Sequence, residues 1–294
     1  LRTNPSAHSV RSGQIPFDLW ITKKWLPVEM YIGGQEHACL HLMYTRFLTM
    51  AFKDLGLIDF EEPFKKFYAH GLITKDGAKM SKSKGNVVIP DKYIKKFGAD
   101  TLRCYLMFLG PFNQGGDFTD AGIGGLYRFL SRVWRLNQSN RWPKKSSLGL
   151  VKSLHQLIKK VTEDIEALKY NTAIAAMMKF LNEWQQDQTL SKKDAGAFLR
   201  LLAPFAPHLA EELWCQVLGN KFSIHQQPWP KYDPKLAAPQ TATIIVQING
   251  KLRGQVELPS DQATKQPGVA AVAKKQSNVA RHLSEAFGMA IAVR

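Results

Sequence analysis

VEMYIGGQEHA, residues 28–38, decides how the front of this chain is read. Val28 to Ile32 is a short apolar run of the kind that makes a buried strand, and Gly33 and Gly34 make a tight turn. Residues 35–55 then carry Ala38, Leu42, Thr45, Leu48 and Phe52 near helical spacing. Strand, glycine turn and helix are half of a βαβ unit. Such a unit brings helix N–H groups and the positive dipole end to the carboxyl edge of a parallel sheet, where nucleotides bind. Further along, KFYAHGLIT at 66–74 reads as the next strand, 75–86 as a lysine-rich loop, and 91–97 and 100–109 as helices. Ahead of the quoted stretch, Pro5, Gly13, Pro16 and Pro27 punctuate a loop-like segment around FDLW at 17–20.

From Thr119 the pattern changes to long helices. Ile123, Leu126, Leu130, Val133 and Trp134 share one stripe behind a Thr119 or Asp120 cap, and Leu150, Leu154, Leu157, Ile158, Val161, Ile165 and Leu168 mark a second helix. A third opens at Asn171 with Ile174, Met177, Met178, Leu181 and Trp184. A fourth follows the capping box Ser191 to Asp194, with Phe198, Leu201 and Leu202 inside. Pro204 and Pro207 separate it from a fifth helix that runs to Leu218 and stops at Gly219. After a proline-spaced stretch, Thr241 to Ile248 alternates, reaches Asn249-Gly250 and continues through Leu252, Gly254, Val256 and Leu258, the strongest short hairpin signal. Residues 269–287 read as a helix and 290–293 as a third strand. The fold class is multidomain α/β plus α. Residues 1–118 form a nucleotide-binding half-fold, 119–239 a helical bundle, and 240–294 a small α+β module.

The chain has 294 residues, 45% hydrophobic and 22% charged, which excludes wholesale disorder. No apolar run reaches the length a membrane helix needs, so no membrane partner is expected. Cys39, Cys104 and Cys215 are far apart and never in a CxxC pair, so neither a disulfide framework nor a zinc knuckle is encoded, and a reducing, cytoplasmic setting fits. Residue 1 is Leu, no targeting peptide is visible, and the apolar end at 289–294 reads as a strand only begun, so truncation at both ends is expected. The net charge of +16 is spread over all three segments, as for a surface that meets polyanions.

Chemistry concentrates in Lys79-Met80-Ser81-Lys82-Ser83, followed by Lys84: three lysines and two hydroxyls in six positions, flanked by Gly77 and Gly85. This is an anion clamp in outline. Ammonium groups neutralise charge developing on a phosphate, and hydroxyls and backbone N–H groups orient it. The spacing is not that of a Walker A loop. His37 and His41 stand at i and i+4 as in zinc proteases, but HExxH needs the glutamate after the first histidine and Glu36 precedes it, so no metal site is expected. Arg128, Arg132 and Arg135 cluster around Trp134, a combination that can contact phosphates and stack on unpaired bases.

KMSKS at 79–83, within DGAKMSKSKGNVV at 76–88, resembles the signature loop of class I aminoacyl-tRNA synthetases in its class Ia form. MYIGGQEHA at 30–38 with His41 is similar to the leucyl-tRNA synthetase family. FGADTLR at 97–103, YRFL at 127–130, LAPFAPHLAEELW at 202–214 and VQINGKLRG at 246–254 continue the likeness. The resemblance implies the second half of a Rossmann-like class I catalytic fold, an anticodon-binding helical bundle and a C-terminal tRNA-binding module. It implies ATP-dependent activation of leucine and transfer to tRNA(Leu), with ATP and Mg2+ as the substrate complex and no resident cofactor. Lys79 and Lys82 would be catalytic. Gly33, Gly34, Glu36, His37, Met80, Ser81 and Ser83 would bind ATP or adenylate, and His41 and His70 would border the leucine pocket. His70 stands where bacterial leucine enzymes usually carry Gln. Arg128, Arg132 and Arg135, with Lys251 and Arg253 beside the last hairpin, would meet tRNA. The family's HIGH motif and editing insertion are not in this sequence, so the expected partner is a separate N-terminal half carrying HIGH. A tRNA-binding fragment without catalysis, or a repurposed synthetase paralogue, is the alternative.

Overall fold

The computed structural model describes residues 17–138, 142–238, 241–248, 251–259 and 291–293. Helix α1 (Leu19–Trp25) starts at Asp18, whose carboxylate accepts from the N–H groups of Trp20 and Ile21. Strand β1 (Tyr31–Gly33) leads through the Gly33–Gly34 turn into a 3₁₀ turn (Gln35–Ala38), then α2 (His41–Asp54) and β2 (Phe67–Ala69). β1 and β2 pair in parallel with Tyr31 opposite Phe67 and Gly33 opposite Ala69, so the expected parallel crossover is present. Residues 35–55 are not one helix, however. Leu40, at φ −113° and ψ −99°, lies outside the helical well and separates the 3₁₀ turn from α2. The apolar spacing runs straight through this break because side-chain periodicity does not register a backbone kink.

Residues 66–74 likewise divide. β2 ends at Ala69, and β3 (Leu72–Lys75) belongs to another sheet, in which it pairs antiparallel with β4 (Ala78–Lys79). The turn between them is Asp76-Gly77, at φ +54° and +73°. Positive φ at both central residues suits the twist of a two-residue hairpin. After a second 3₁₀ turn (Lys82–Lys84) come α3 (Pro90–Phe97), α4 (Ala99–Phe108) and β5 (Gly115–Phe118), which returns parallel to β3. A Cβ at Gly115 would sit 2.0 Å from the Leu72 carbonyl oxygen, so this parallel contact requires glycine.

The bundle follows: α5 (Asp120–Asn137), α6 (Leu148–Glu166), α7 (Tyr170–Asp187), α8 (Lys192–Leu202) and α9 (Pro207–Glu212). Thr119, Ser147 and Ser191 cap α5, α6 and α8 through side-chain oxygens. In the expected capping box the return arm is indirect: the Ser191 N–H donates to Ser146 Oγ, which donates to Asp194 Oδ2. α9 passes into a π-helical turn (Leu213–Val217) before Gly219 at φ +62° ends it. A short α10 (Pro234–Ala237) sits in the proline-spaced stretch and packs on α6.

Ile123, Val133, Val161, Ile174, Leu181, Phe198 and Leu202 are buried in one core, which also takes in Tyr93, Leu102, Cys104, Tyr105 and Phe118. α3, α4 and β5 therefore pack into the bundle. Three bonds dock α4 on the α8–α9 corner. Asp100 Oδ2 accepts from the Leu209 N–H at 2.7 Å, Arg103 Nε donates to the Pro204 carbonyl at 3.0 Å, and Cys104 Sγ donates to the Phe205 carbonyl at 3.3 Å. The last sheet is antiparallel, with β6 (Thr241–Ile248) between β7 (Lys251–Pro259) and β8 (Ile291–Val293). Ile248 faces Lys251 across the hairpin; its Asn249-Gly250 turn and the helix expected at 269–287 lie outside the described residues.

Leu201→Ala, at a fully buried position, should cost about 2–5 kcal/mol, whereas Leu148→Ala, at a side chain 64% exposed, should stay within about 0.5 kcal/mol; urea-unfolding midpoints check both. Arg46 of α2 grips Glu62 with bonds of 2.6 and 2.8 Å, and this holds the Glu62 carboxyl below its usual range. A depressed native value means that the tie is complete above the ordinary glutamate pKa of about 4.3 and lost as pH falls through the native value. An NMR titration should place Glu62 below that figure.

Candidate functional site

The turn after β1 gathers several of the expected residues. Gly33 and Gly34 are buried, and the His70 N–H donates to the Gly33 carbonyl at 3.1 Å, which continues the β1–β2 pairing by one residue. A Cβ at Gly34 would lie 2.3 Å from Glu36 Oε2, so the Glu36 carboxylate folds back over the glycine backbone. A Cβ at Gly33 would lie 3.4 Å from His37 Cδ2, which puts that imidazole beside the same turn. His37 Nδ1 is buried and without a hydrogen-bond partner among the described residues. His70 Nδ1 bonds the Gly71 carbonyl at 2.8 Å; in the neutral ring this makes Nδ1 the donor and leaves Nε2 an acceptor. His41 stands apart from the 3₁₀ turn as the first residue of α2, its Nδ1 2.9 Å from Tyr31 Oη. His70 also borders a cavity of about 440 Å³ walled by Leu72, Leu106, Met107, Phe112 and Tyr170.

The lysine-rich segment is more ordered than the loop expected from its sequence. It leaves the β3–β4 hairpin at Lys79, and Asn86 closes it: Oδ1 accepts from the Ser81 N–H at 2.9 Å and Nδ2 donates to the Lys79 carbonyl at 3.2 Å. Ser81 Oγ lies 3.1 Å from Ser83 Oγ and accepts from the Lys84 N–H, and Gly85 at φ +66° ends the turn. Met80 is half-buried against the bundle core. Lys79, Lys82 and Lys84 are exposed, and none has an ion-pair partner among the described residues. Three ammonium groups without ion-pair partners among the described residues, around a backbone held by neutral bonds, suit an anionic ligand.

The base of the hairpin rests on residues that the sequence did not mark for this role. Asp117 Oδ1 accepts from the Gly77 N–H at 2.9 Å and from Thr74 Oγ1 at 2.7 Å, and these bonds hold its carboxyl below the usual range. The Tyr93 hydroxyl donates a short bond to Asp120 Oδ1; that bond, with burial, pushes the phenol up to about 12. Asp76-Gly77 is a legible hairpin signal, but nothing local announces Asp117, forty residues on.

On α5 the arginines separate. Arg132 donates to Asn182 Oδ1 at 2.6 Å and Gln185 Oε1 at 3.0 Å and so ties α5 to α7. Arg128 and Arg135 instead line a groove of about 760 Å³ with Tyr127, Trp134 and Leu209. Lys251 and Arg253 are placed in β7 by their backbone. Among the described residues no three His, Cys, Asp or Glu side chains come together as a metal cage, and no helix is long and apolar enough to cross a membrane.

Residues 13–116 match the family model of tRNA synthetases class I (I, L, M and V), and residues 149–267 match that of the anticodon-binding domain of tRNA ligase. The leucine--tRNA ligase of Dehalococcoides mccartyi (strain CBDB1) is 47% identical over 256 residues, covering 83% of this chain and 31% of that protein. The leucine--tRNA ligase of Thermotoga maritima is 45% identical over 269 residues, covering 84% and 32%. The leucyl-tRNA synthetase of Agrobacterium radiobacter K84, solved in a ternary complex with tRNA and LeuAMS, is 35% identical with a TM-score of 0.72, covering 92% of this chain and 37% of that one. Mycobacterium tuberculosis methionyl-tRNA synthetase bound by methionyl-adenylate, at 19% identity and a TM-score of 0.51 over 65% and 44%, shares the fold. The chain spans about a third of the length of the curated relatives it matches. With the glycine turn, the KMSKS hairpin and the bundle all in place, it belongs, as that third, to the leucine--tRNA ligase family of class I tRNA synthetases.

Proposed function

We propose that this chain is the KMSKS-bearing and tRNA-arm-binding part of a leucine--tRNA ligase. It would activate leucine with ATP and transfer it to tRNA(Leu) once a HIGH-bearing half is supplied, by the rest of its own polypeptide or by a second one. The observation that carries the reading is the trio of ammonium groups, Lys79, Lys82 and Lys84, without ion-pair partners among the described residues, on a loop whose hairpin follows the β2 strand that buttresses Gly33. In the activating step a leucine carboxylate oxygen bonds the α-phosphorus of ATP as the bond from that phosphorus to the bridging oxygen breaks. Magnesium pyrophosphate leaves. A terminal ribose hydroxyl of the tRNA then attacks the leucyl carbonyl, and AMP departs. Lys82 and Lys79 stabilise charge on the departing pyrophosphate, and Ser81, Ser83 and the backbone beside Met80 orient it. Gly33 and Gly34 let backbone approach the adenosine, Glu36 and His37 offer partners to ribose or ammonium groups, and His41 and His70 border the leucine side chain. Arg128 and Arg135, at the rim of an apolar groove, are the better placed of the α5 arginines for tRNA, since Arg132 is already bonded within the bundle. The boundaries 1–118, 119–239 and 240–294 and a cytoplasmic setting go with this reading.

The need for a further half has its own support. α2 exposes Met43, Tyr44, Phe47, Leu48 and Met50, and α1 exposes Trp20 and Trp25, the last two 72% and 68% accessible. β1 has β2 as its one strand neighbour among the described residues. An apolar helix face beside an open parallel strand is a surface built to be covered.

The chain alone should support no leucine-dependent ATP–pyrophosphate exchange, and addition of a HIGH-bearing polypeptide should restore it; robust exchange without that half would contradict the proposal. In the restored enzyme Lys82→Ala should lower kcat roughly 10²–10³-fold, the loss typical of one donor aimed at transition-state charge. Asn86→Ala removes two bonds of about 0.5–1.5 kcal/mol each, so trypsin should cut the Lys79–Lys84 segment about tenfold faster while the bundle keeps its urea midpoint.

A further inference from the structure

We propose that Asp117 and Asp120 are positioning residues for the cationic loop, a pair of carboxylates that fixes its two ends to the corner where β5 passes into the first helix of the bundle. The proposal rests on the ligase reading for its kinetic consequence but stands on geometry of its own. The incoming end is held by Asp117, whose Oδ1 takes the Gly77 N–H of the hairpin turn at 2.9 Å and the Thr74 hydroxyl of β3 at 2.7 Å. The outgoing end is held by Asp120, whose Oδ1 takes the Tyr93 hydroxyl from α3; its Oδ2 lies 3.9 Å from Lys75 Nζ of β3, back on the incoming side. The two carboxylates are three residues apart, at the end of β5 and the first position of α5. Thr119 between them is itself pinned, since its N–H donates to Tyr105 Oη at 2.8 Å and its carbonyl accepts from the same hydroxyl at 2.9 Å. Tyr105 belongs to α4, which is docked on the α8–α9 corner through Asp100, Arg103 and Cys104. The loop therefore takes its position from the bundle. Neither carboxylate bonds to Lys79, Lys82 or Lys84 in the described structure, so the pair can orient the loop without neutralising the charge it must deliver.

Asp117→Ala and Asp120→Ala test this, with Asp117→Asn as the conservative variant because its amide oxygen still accepts both bonds. In the chain alone, Asp117→Ala should raise hydrogen exchange of the Gly77 amide about tenfold or more while the amides of α6, α7 and α8 keep wild-type protection. In the enzyme completed with its HIGH-bearing half, both alanine variants should lower kcat for ATP–pyrophosphate exchange about tenfold or more with leucine KM within about twofold. Asp117→Asn should recover most of that kcat. Unchanged Gly77 exchange, exchange rising equally across the bundle, or wild-type kcat in the alanine variants would each overturn the proposal. A completed wild-type enzyme without exchange activity would refute the ligase reading alone, and the Gly77 amide would still decide the positioning role.

Discussion

Lysine ammonium groups crowded into one turn have to be held still without being neutralised. Like charges repel, and this chain already carries a net +16. Carboxylates placed against Lys79, Lys82 and Lys84 would relieve that repulsion and cancel the positive charge that the proposed role needs. The structure instead spends its polar bonds on the backbone around the lysines. Asn86 spans Lys79 and Ser81, Ser81 caps the turn, and Asp117 holds the hairpin from below. The cationic side chains remain in solvent, available to a polyanion.

The same economy explains why α3, α4 and β5 pack where they do. The crossover from β3 through the two helices to β5 brings the chain back to the hairpin it left, with Lys75 opposite Phe118, and then continues directly into α5. Two stretches far apart in the sequence, FGADTLR and LAPFAPHLAEELW, meet through Asp100 and the Leu209 amide, so α4 and the bundle share one core, against which Met80 of the cationic loop packs. By contrast the β1–β2 sheet and α2 contribute little to that core, and Thr49 is the one buried residue of α2. The chain thus has a well-buried half that carries the loop and a sparsely buried half that carries the glycine turn.

Much of this was legible in the sequence, for reasons that differ from element to element. The bundle helices announced themselves by caps such as Thr119 and Ser191 and by stripes such as Ile174, Met177 and Leu181, because a packed helix needs both. The glycine turn was legible because a strand, two glycines and a helical pattern leave few other conformations. The break at Leu40 was not, since the residues on either side keep helical spacing. Asp76-Gly77 carried a hairpin signal that the surrounding lysines masked in a reading for charge. Asp117 could not be found at all from local pattern, because its partners Thr74 and Gly77 lie more than forty and exactly forty residues away in sequence. Arg132 and Arg128 look alike in the sequence and diverge only when α7 is seen to supply Asn182 and Gln185.

In the proposed role the KMSKS turn and the Gly33–Gly34 turn grip opposite ends of one nucleotide. A crystal structure of this chain joined to a HIGH-bearing half, with ATP and Mg2+ bound, measures this directly. Adenosine is expected against the Gly33–Gly34 backbone, with a triphosphate oxygen within hydrogen-bond reach of Lys82 Nζ. A triphosphate seated away from the Lys79–Lys84 segment, with that segment as exposed as before, would contradict that role.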